Sequence, residues 1–166
     1  LAEPQPFAAN ITADDISCNG LCDGWAVVNP IGGTTPYQTA VWTPGSIAID
    51  SITNLCPGTY FVSVADANGC NAIDSVNIIE PSAIIISSTS VDVTCSANCD
   101  GSAIVNPSGG IGPYLYSWSP GGQTTNNPTV LCLGLNTITV TDQNGCSMTD
   151  AITTAATDTI DAQTEV

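Results

Sequence analysis

Apolar residues recur along this chain mostly with a period of two, the spacing of a half-buried strand and not of a helix. In Trp25–Asn29 the alternation, compared with the later stretch around Val105, aligns Ala26 and Val28 with Ala103 and Val105. These positions are expected inward, with Trp25, Val27 and Asn29 outward. Tyr60, Val62 and Val64, and later Asn136, Ile138 and Val140, form a second inward set. The pattern predicts strands over Phe7–Ser17, Trp25–Asn29, Tyr37–Trp42, Ile47–Ile52, Thr59–Asp66 and Cys70–Ile79. One boundary among them is left open, for a total of seven strands. Asp66–Gly69 and Asp142–Gly145 read as hairpin turns, where Asn-Gly supplies the positive φ angles. Short strands at this spacing, punctuated by Gly, Pro and Asn, predict an all-β antiparallel sandwich. The longest apolar run, Ala83–Ile86, is strand-sized, so no membrane insertion is expected.

The pattern is written twice. Cys18 and Cys22 recur 77 residues on as Cys95 and Cys99, and Cys56 and Cys70 recur 76 residues on as Cys132 and Cys146. Between them Asp23-Gly24 matches Asp100-Gly101, Gly32-Gly33 matches Gly109-Gly110, and Pro36-Tyr37 matches Pro113-Tyr114. The offset drops by one residue between Tyr37 and Trp42, inside a predicted strand, where a bulge can absorb it. Self-similarity at this period predicts two tandem domains, 7–81 and 82–157. Glu3-Pro4 repeats as Glu80-Pro81, and Thr159-Ile160-Asp161 is in register with the strand that opens the second repeat. Residues 1–6 are therefore expected to be the tail of a preceding repeat and 158–166 the start of a following one.

Charge narrows the function. The chain carries 15 Asp and Glu and no Lys, Arg or His, for a net charge of −15. Nothing here can neutralise phosphates, so no nucleic-acid partner is expected. The usual His base, Lys nucleophile and Arg clamp are missing, and adjacent Asp14 and Asp15 face opposite ways on a strand. No enzyme is expected. Eight cysteines without a single His argue for disulfides and an extracellular, cell-surface setting over a zinc site.

Leu55-Cys56-Pro57-Gly58-Thr59-Tyr60 resembles the corner before strand F of immunoglobulin-like folds, with Tyr60 placed as a tyrosine corner. The second repeat puts Asn136 there, and the feature is expected to fail in that copy. The ordered set Cys18, Asp23-Gly24, Gly32-Gly33, Pro36-Tyr37, Trp42, Gly58-Thr59-Tyr60, Asp66–Cys70 and Glu80-Pro81 resembles the SprB repeat. The second repeat carries the pattern from Cys95 to Cys146, with Gly134-Leu135-Asn136 in place of Gly-Thr-Tyr. That family occurs in arrays in large surface adhesins of gliding Bacteroidota. The resemblance implies two tandem immunoglobulin-like sandwiches, export by the type IX system and surface display. Its members usually carry two cysteines per unit and are not cation-free, and here the chain departs from them.

Cys22 with Cys56, and Cys99 with Cys132, fall at one end of such a sandwich and are the favoured disulfides. Cys18–Cys70 and Cys95–Cys146 follow by elimination. A local Cys18–Cys22 bridge, or a bond from one unit to the next, are the alternatives.

Several carboxylates recur at the repeat offset without a cationic partner. They are expected to cap turns by accepting backbone N–H groups. The competing reading is Ca²⁺, a hard cation held by oxygen ligands, with Asp15, Asp74, Glu80, Asp92 and Asp150 as candidate ligands. No cofactor is required. Trp25 and Phe61 have outward parity and are replaced by Ser102 and Thr137, so they are candidates for contact with a sugar ring or a neighbouring chain. Ser51, Ser75 and Thr159 lie in Asp-Ser/Thr-aliphatic triplets that resemble the O-glycosylation sequence of Bacteroidota. Taken together, these features read as a non-enzymatic structural or adhesive module of a long bacterial surface adhesin or filament. Its expected partners are adjacent repeats of the same chain and like chains in a fibre. The alternative is a carbohydrate-binding accessory module, with a surface polysaccharide as partner.

Overall fold

The computed structural model describes residues 5–95 and 97–157. The chain divides into two compact units, Leu1–Pro81 and Ser82–Val166. Every regular element among the described residues is a strand. The expected tail of a preceding repeat lies mostly outside these residues, and the expected start of a following one wholly so.

In the first unit β1 (Ile11–Asp14), β2 (Gly24–Val28) and β5 (Ser51–Leu55) form one antiparallel sheet in the order β1-β2-β5. The second sheet has the order β4-β3-β6-β7, from β3 (Val41–Thr43), β4 (Ile47–Ala48), β6 (Gly58–Ala65) and β7 (Asn71–Ile78). These are the A-B-E and C-F-G sheets of an immunoglobulin-like sandwich, with β4 as a short extra strand beside C. The expected strand Ile47–Ile52 is split: β4 pairs with β3, and the chain then crosses so that β5 pairs with β2. Beyond β1 the chain reaches the other sheet, where the Ile16 N–H donates to the Ile79 carbonyl at 3.0 Å.

The core is the set that alternation singled out. Ala26, Val28, Val62 and Val64 are buried between the sheets around Trp42, which is 0% exposed. The Trp42 indole N–H donates to the Ile49 carbonyl at 2.9 Å, so its one polar group is satisfied inside the core. Tyr60 is half-buried, and its hydroxyl donates to the Cys56 carbonyl at 3.0 Å, closing the corner that leads into β6.

The second unit builds the same core on fewer regular strands. β8 (Ile85–Val91) pairs with β9 (Ser102–Ser108), and β10 (Leu115–Ser119), β11 (Gly134–Thr141) and β12 (Ser147–Thr154) form the other sheet. Trp118 is buried and donates to the Thr125 carbonyl at 2.9 Å. Where the first unit has β5, residues 126–131 follow β9 without regular pairing. Ala103 and Val105 still donate to the carbonyls of Pro128 and Asn126. Pro128, which lacks the N–H of a ladder residue, takes the position of Ile52 and is fully buried. The corner does not fail in this copy. Asn136 is buried, and its side-chain amide donates to the Cys132 carbonyl at 3.0 Å, as Tyr60 does to Cys56.

The one-residue offset also has a structural seat. In the first unit the Gln38 N–H bonds the Ala65 carbonyl, but the next regular pair toward β6 is Val41 with Ser63. The three-residue step on one side against two on the other is the bulge that accommodates the extra residue. In the second unit β10 runs in unbroken register against β11 from Leu115 to Ser119.

Candidate functional site

Each unit places several of its carboxylates at the two ends of the sandwich, where they hold turns. Asp66, at the tip of the β6–β7 hairpin, is 2% exposed. One of its oxygens accepts from the Asn68 and Cys70 N–H groups at 2.9 and 2.8 Å, and the other from the Thr34 N–H at 3.0 Å. Asp142 repeats the arrangement on Asn144, Cys146 and Ile111, each at 2.9 Å. Burial alone would raise the Asp66 carboxyl. The bonds from Thr34, Cys70 and Asn68 outweigh it and hold the group below the usual carboxylate range.

The Gly-Gly motif is part of this clasp. A Cβ at Gly33 would lie 2.9 Å from the Phe7 ring and 3.2 Å from an Asp66 oxygen, and at Gly110 2.7 Å from an Asp142 oxygen. Both glycines also have positive φ, 65° and 63°, a conformation that disfavours side chains. The sequence signal for this site is the joint recurrence of Gly-Gly and Asp-x-Asn-Gly. What alternation does not reveal is that the Asp is buried.

At the opposite, corner end, Asp23 accepts from the Ser17 hydroxyl and from its N–H at 3.0 Å. Asp100 accepts from the Thr94 hydroxyl at 2.5 Å and its N–H at 2.9 Å. The hydroxyl bond, followed by the backbone bond, lowers the pKa of both groups.

The five candidate Ca²⁺ ligands are distributed as follows. Asp15 accepts from the Ile79 N–H, and its equivalent Asp92 from the Ala155 N–H, both at 2.9 Å. Glu80 accepts from the Gly20 N–H at 2.7 Å. Asp74 and Asp150 are half-buried and bond the N–H of the following residue at 2.8 Å. Asp15 and Glu80 share one end of the first unit. Among the described residues, no group of three or more His, Cys, Asp or Glu side chains is assembled in a way that could hold a metal ion.

The structure joins Cys22 to Cys56 and Cys99 to Cys132, with Cα–Cα distances of 4.1 and 3.9 Å. The pairs assigned by elimination are not formed. Cys70 and Cys95 carry free, exposed thiols. Topology explains the failure. Cys18 sits at the corner end, in a turn whose Asn19 and Gly20 bond Pro81 and Glu80. Cys70 follows the hairpin tip. The β6–β7 ladder between these ends runs from Gly58–Ile78 to Ala65–Asn71. Seven residue steps span about 23 Å, far beyond disulfide reach. The local Cys18–Cys22 alternative is also ruled out, since Cys22 is committed to Cys56.

Trp25 and Phe61 are exposed, as expected, at 38% and 50%. They lie on different sheets, Trp25 between Asp14 and Thr53 and Phe61 between Thr43 and Ser75. The two outer faces point away from each other, so the structure does not unite them in one aromatic platform. Ser51 opens β5 and Ser75 lies in β7 beside Phe61, both exposed. Thr159 lies outside the described residues. A cleft of about 240 Å³, lined by Val28, Tyr37, Gln38, Thr39, Asp50 and Val64 among others, opens at the bulge that holds the extra residue. Sequence reading does not find it, although the change of offset marks its place.

Residues 87–123, in the second unit, match the family model of the SprB repeat. No curated protein matches the sequence. Among solved structures, the C-terminal 282-residue fragment of intimin, in complex with the intimin-binding domain of the translocated intimin receptor, is 15% identical with a TM-score of 0.44. That alignment covers 93% of this chain and 64% of the other, so the chain spans less than two thirds of the fragment. The amphioxus IgVJ-C2 molecule is 15% identical with a TM-score of 0.33, over 89% of this chain and 96% of that one.

Proposed function

We propose that this chain, whose second unit carries an SprB repeat over residues 87–123, is a non-enzymatic structural module of a bacterial surface adhesin or surface filament. Its work is mechanical. Each unit is closed at the corner end by a disulfide and at the hairpin end by a buried Asp that holds two loops together. A chain with no Lys, Arg or His forms no side-chain ion pairs, so packing, backbone pairing and covalent staples carry its stability. An oxidising, extracellular location supports those staples. The missing Lys and Arg also leave no cleavage point for trypsin-like proteases, a useful trait for an exposed polymer.

The observation that carries this reading is the repeated Cys22–Cys56 and Cys99–Cys132 bond, joined to the family match. Single-molecule pulling tests it. With the bonds intact, each unfolding step omits the 34 or 33 residues locked inside the loop. Reduction then lengthens each step by about 120 Å, at about 3.5 Å per residue. Extension at low force without discrete steps would refute a mechanical role.

A further inference from the structure

Two exposed thiols stand without partners, and they are of opposite kinds. Cys70 sits at the hairpin end of the first unit and Cys95 at the corner end of the second. The repeat equivalents of both, Cys146 and Cys18, are disulfide-bonded. Each position therefore acts as a bonding position in one of the two units. A unit cannot join its own hairpin cysteine to its own corner cysteine, because a β-ladder of about 23 Å separates them. The partner of each free thiol has to come from outside its own unit.

We propose that Cys70 and Cys95 are the two halves of a head-to-tail covalent link, Cys70 of one copy of the chain bonding to Cys95 of a second copy. Both thiols are exposed, so no unfolding is needed to bring them together. The two ends of the link are different surfaces, which makes the contact heterologous. Such contacts propagate into open chains unless the geometry closes a ring. At a net charge of −15, like copies repel, and a covalent bond sustains a contact that charge opposes. The link rests on the extracellular reading only for its oxidising conditions.

The oxidant is a small-molecule disulfide such as oxidised glutathione. The Cys70 thiolate attacks one of its sulfurs, forming a mixed disulfide and releasing one glutathione. The Cys95 thiolate of the second copy then attacks the Cys70 sulfur and releases the other. Two protein thiols become one disulfide, one oxidised glutathione becomes two reduced ones, and the two thiol protons end on the glutathiones.

The test incubates the purified two-unit chain with oxidised glutathione and runs it on a non-reducing gel. Wild type is expected to give a ladder that collapses on reduction. Cys70→Ser alone and Cys95→Ser alone are each expected to stay monomeric, whereas an equimolar mixture of the two gives dimer. Mass spectrometry after cleavage at acidic or aromatic residues, since trypsin has no site, should show the Cys70–Cys95 peptide pair. Dimer from either single variant, which would be a homotypic bond, overturns the proposal. So does a wild-type monomer whose thiols end as glutathione adducts or join within one chain. None of these outcomes depends on where the protein resides, so a failure here leaves the surface-module reading standing.

Discussion

The Asn136 side-chain amide and the Cys132 carbonyl meet at 3.0 Å, at the corner where the first unit uses Tyr60 and Cys56. Two unlike side chains thus play the same part, since each satisfies a corner carbonyl next to a disulfide. Asn136 donates as well to the Gly134 carbonyl at 3.2 Å and is 1% exposed. Asn136→Ala would empty a buried position and leave the Cys132 and Gly134 carbonyls to the Thr154 hydroxyl alone, which donates to them at 2.6 and 3.4 Å. It is expected to destabilise the second unit by about 1–3 kcal/mol, read by denaturant unfolding, and to leave the first unit unchanged.

The hairpin clasp predicts a charge dependence. Asp66→Asn keeps the size of the side chain but replaces one accepting oxygen with a donor that faces the Thr34 N–H or those of Asn68 and Cys70. Its melting temperature at pH 7 is expected to fall by roughly 5–10 °C, and that of Asp142→Asn similarly. A substitution that leaves melting unchanged would show the clasp to be dispensable.

The pH profile follows from the same bonds. Asp23, Asp66 and Asp100 all have folded pKa values below their ordinary one. Groups of this sign contribute stability that is fully present above the unfolded value, about 3.9, and is lost as pH falls through the folded value. With no His, Lys or Arg in the chain, side-chain titration between about pH 5 and 8 is nearly absent. Melting temperature is expected to be level across that range and to fall below about pH 4. A drop between pH 7 and 6 would contradict this account.

Removing the Cys22–Cys56 staple with paired Ser substitutions frees a loop with a sequence separation of 34. Chain entropy puts the expected loss at about 4 kcal/mol, enough to unfold a domain of this size near body temperature. Calorimetry of the variant, with the second unit's transition as internal reference, measures it.

The candidate Ca²⁺ ligands already hold backbone N–H groups and are not gathered into a metal-binding cluster among the described residues. Melting temperature is therefore expected to be the same in EDTA and in millimolar Ca²⁺. A rise of several degrees with Ca²⁺ would restore the metal reading.

Much of this architecture is legible in the sequence because two copies constrain each other. Ala26, Val28, Val62 and Val64 are buried as their alternation requires, and Trp42 and Trp118 anchor equivalent cores. Less legible are features that depend on long-range geometry. Nothing local to Ile47–Ile52 says that the chain changes sheets between Ala48 and Ser51. Asp66 reads as an ordinary turn residue, yet its burial depends on the distant Gly33–Thr34 loop folding over it. The pairing of Cys18 with Cys70 fails because counting cysteines ignores the length of the ladder between them. The role of Asn136 is hidden because a Tyr and an Asn share no propensity, only reach to the same carbonyl.

The central claim is that this is a structural module displayed outside the cell. It is tested most directly by labelling intact cells that produce the protein with an antibody raised against the two-unit chain. Amine-reactive surface probes would miss a chain that has no lysine. Strong labelling before permeabilisation is the predicted result. Labelling that appears only after permeabilisation would contradict it.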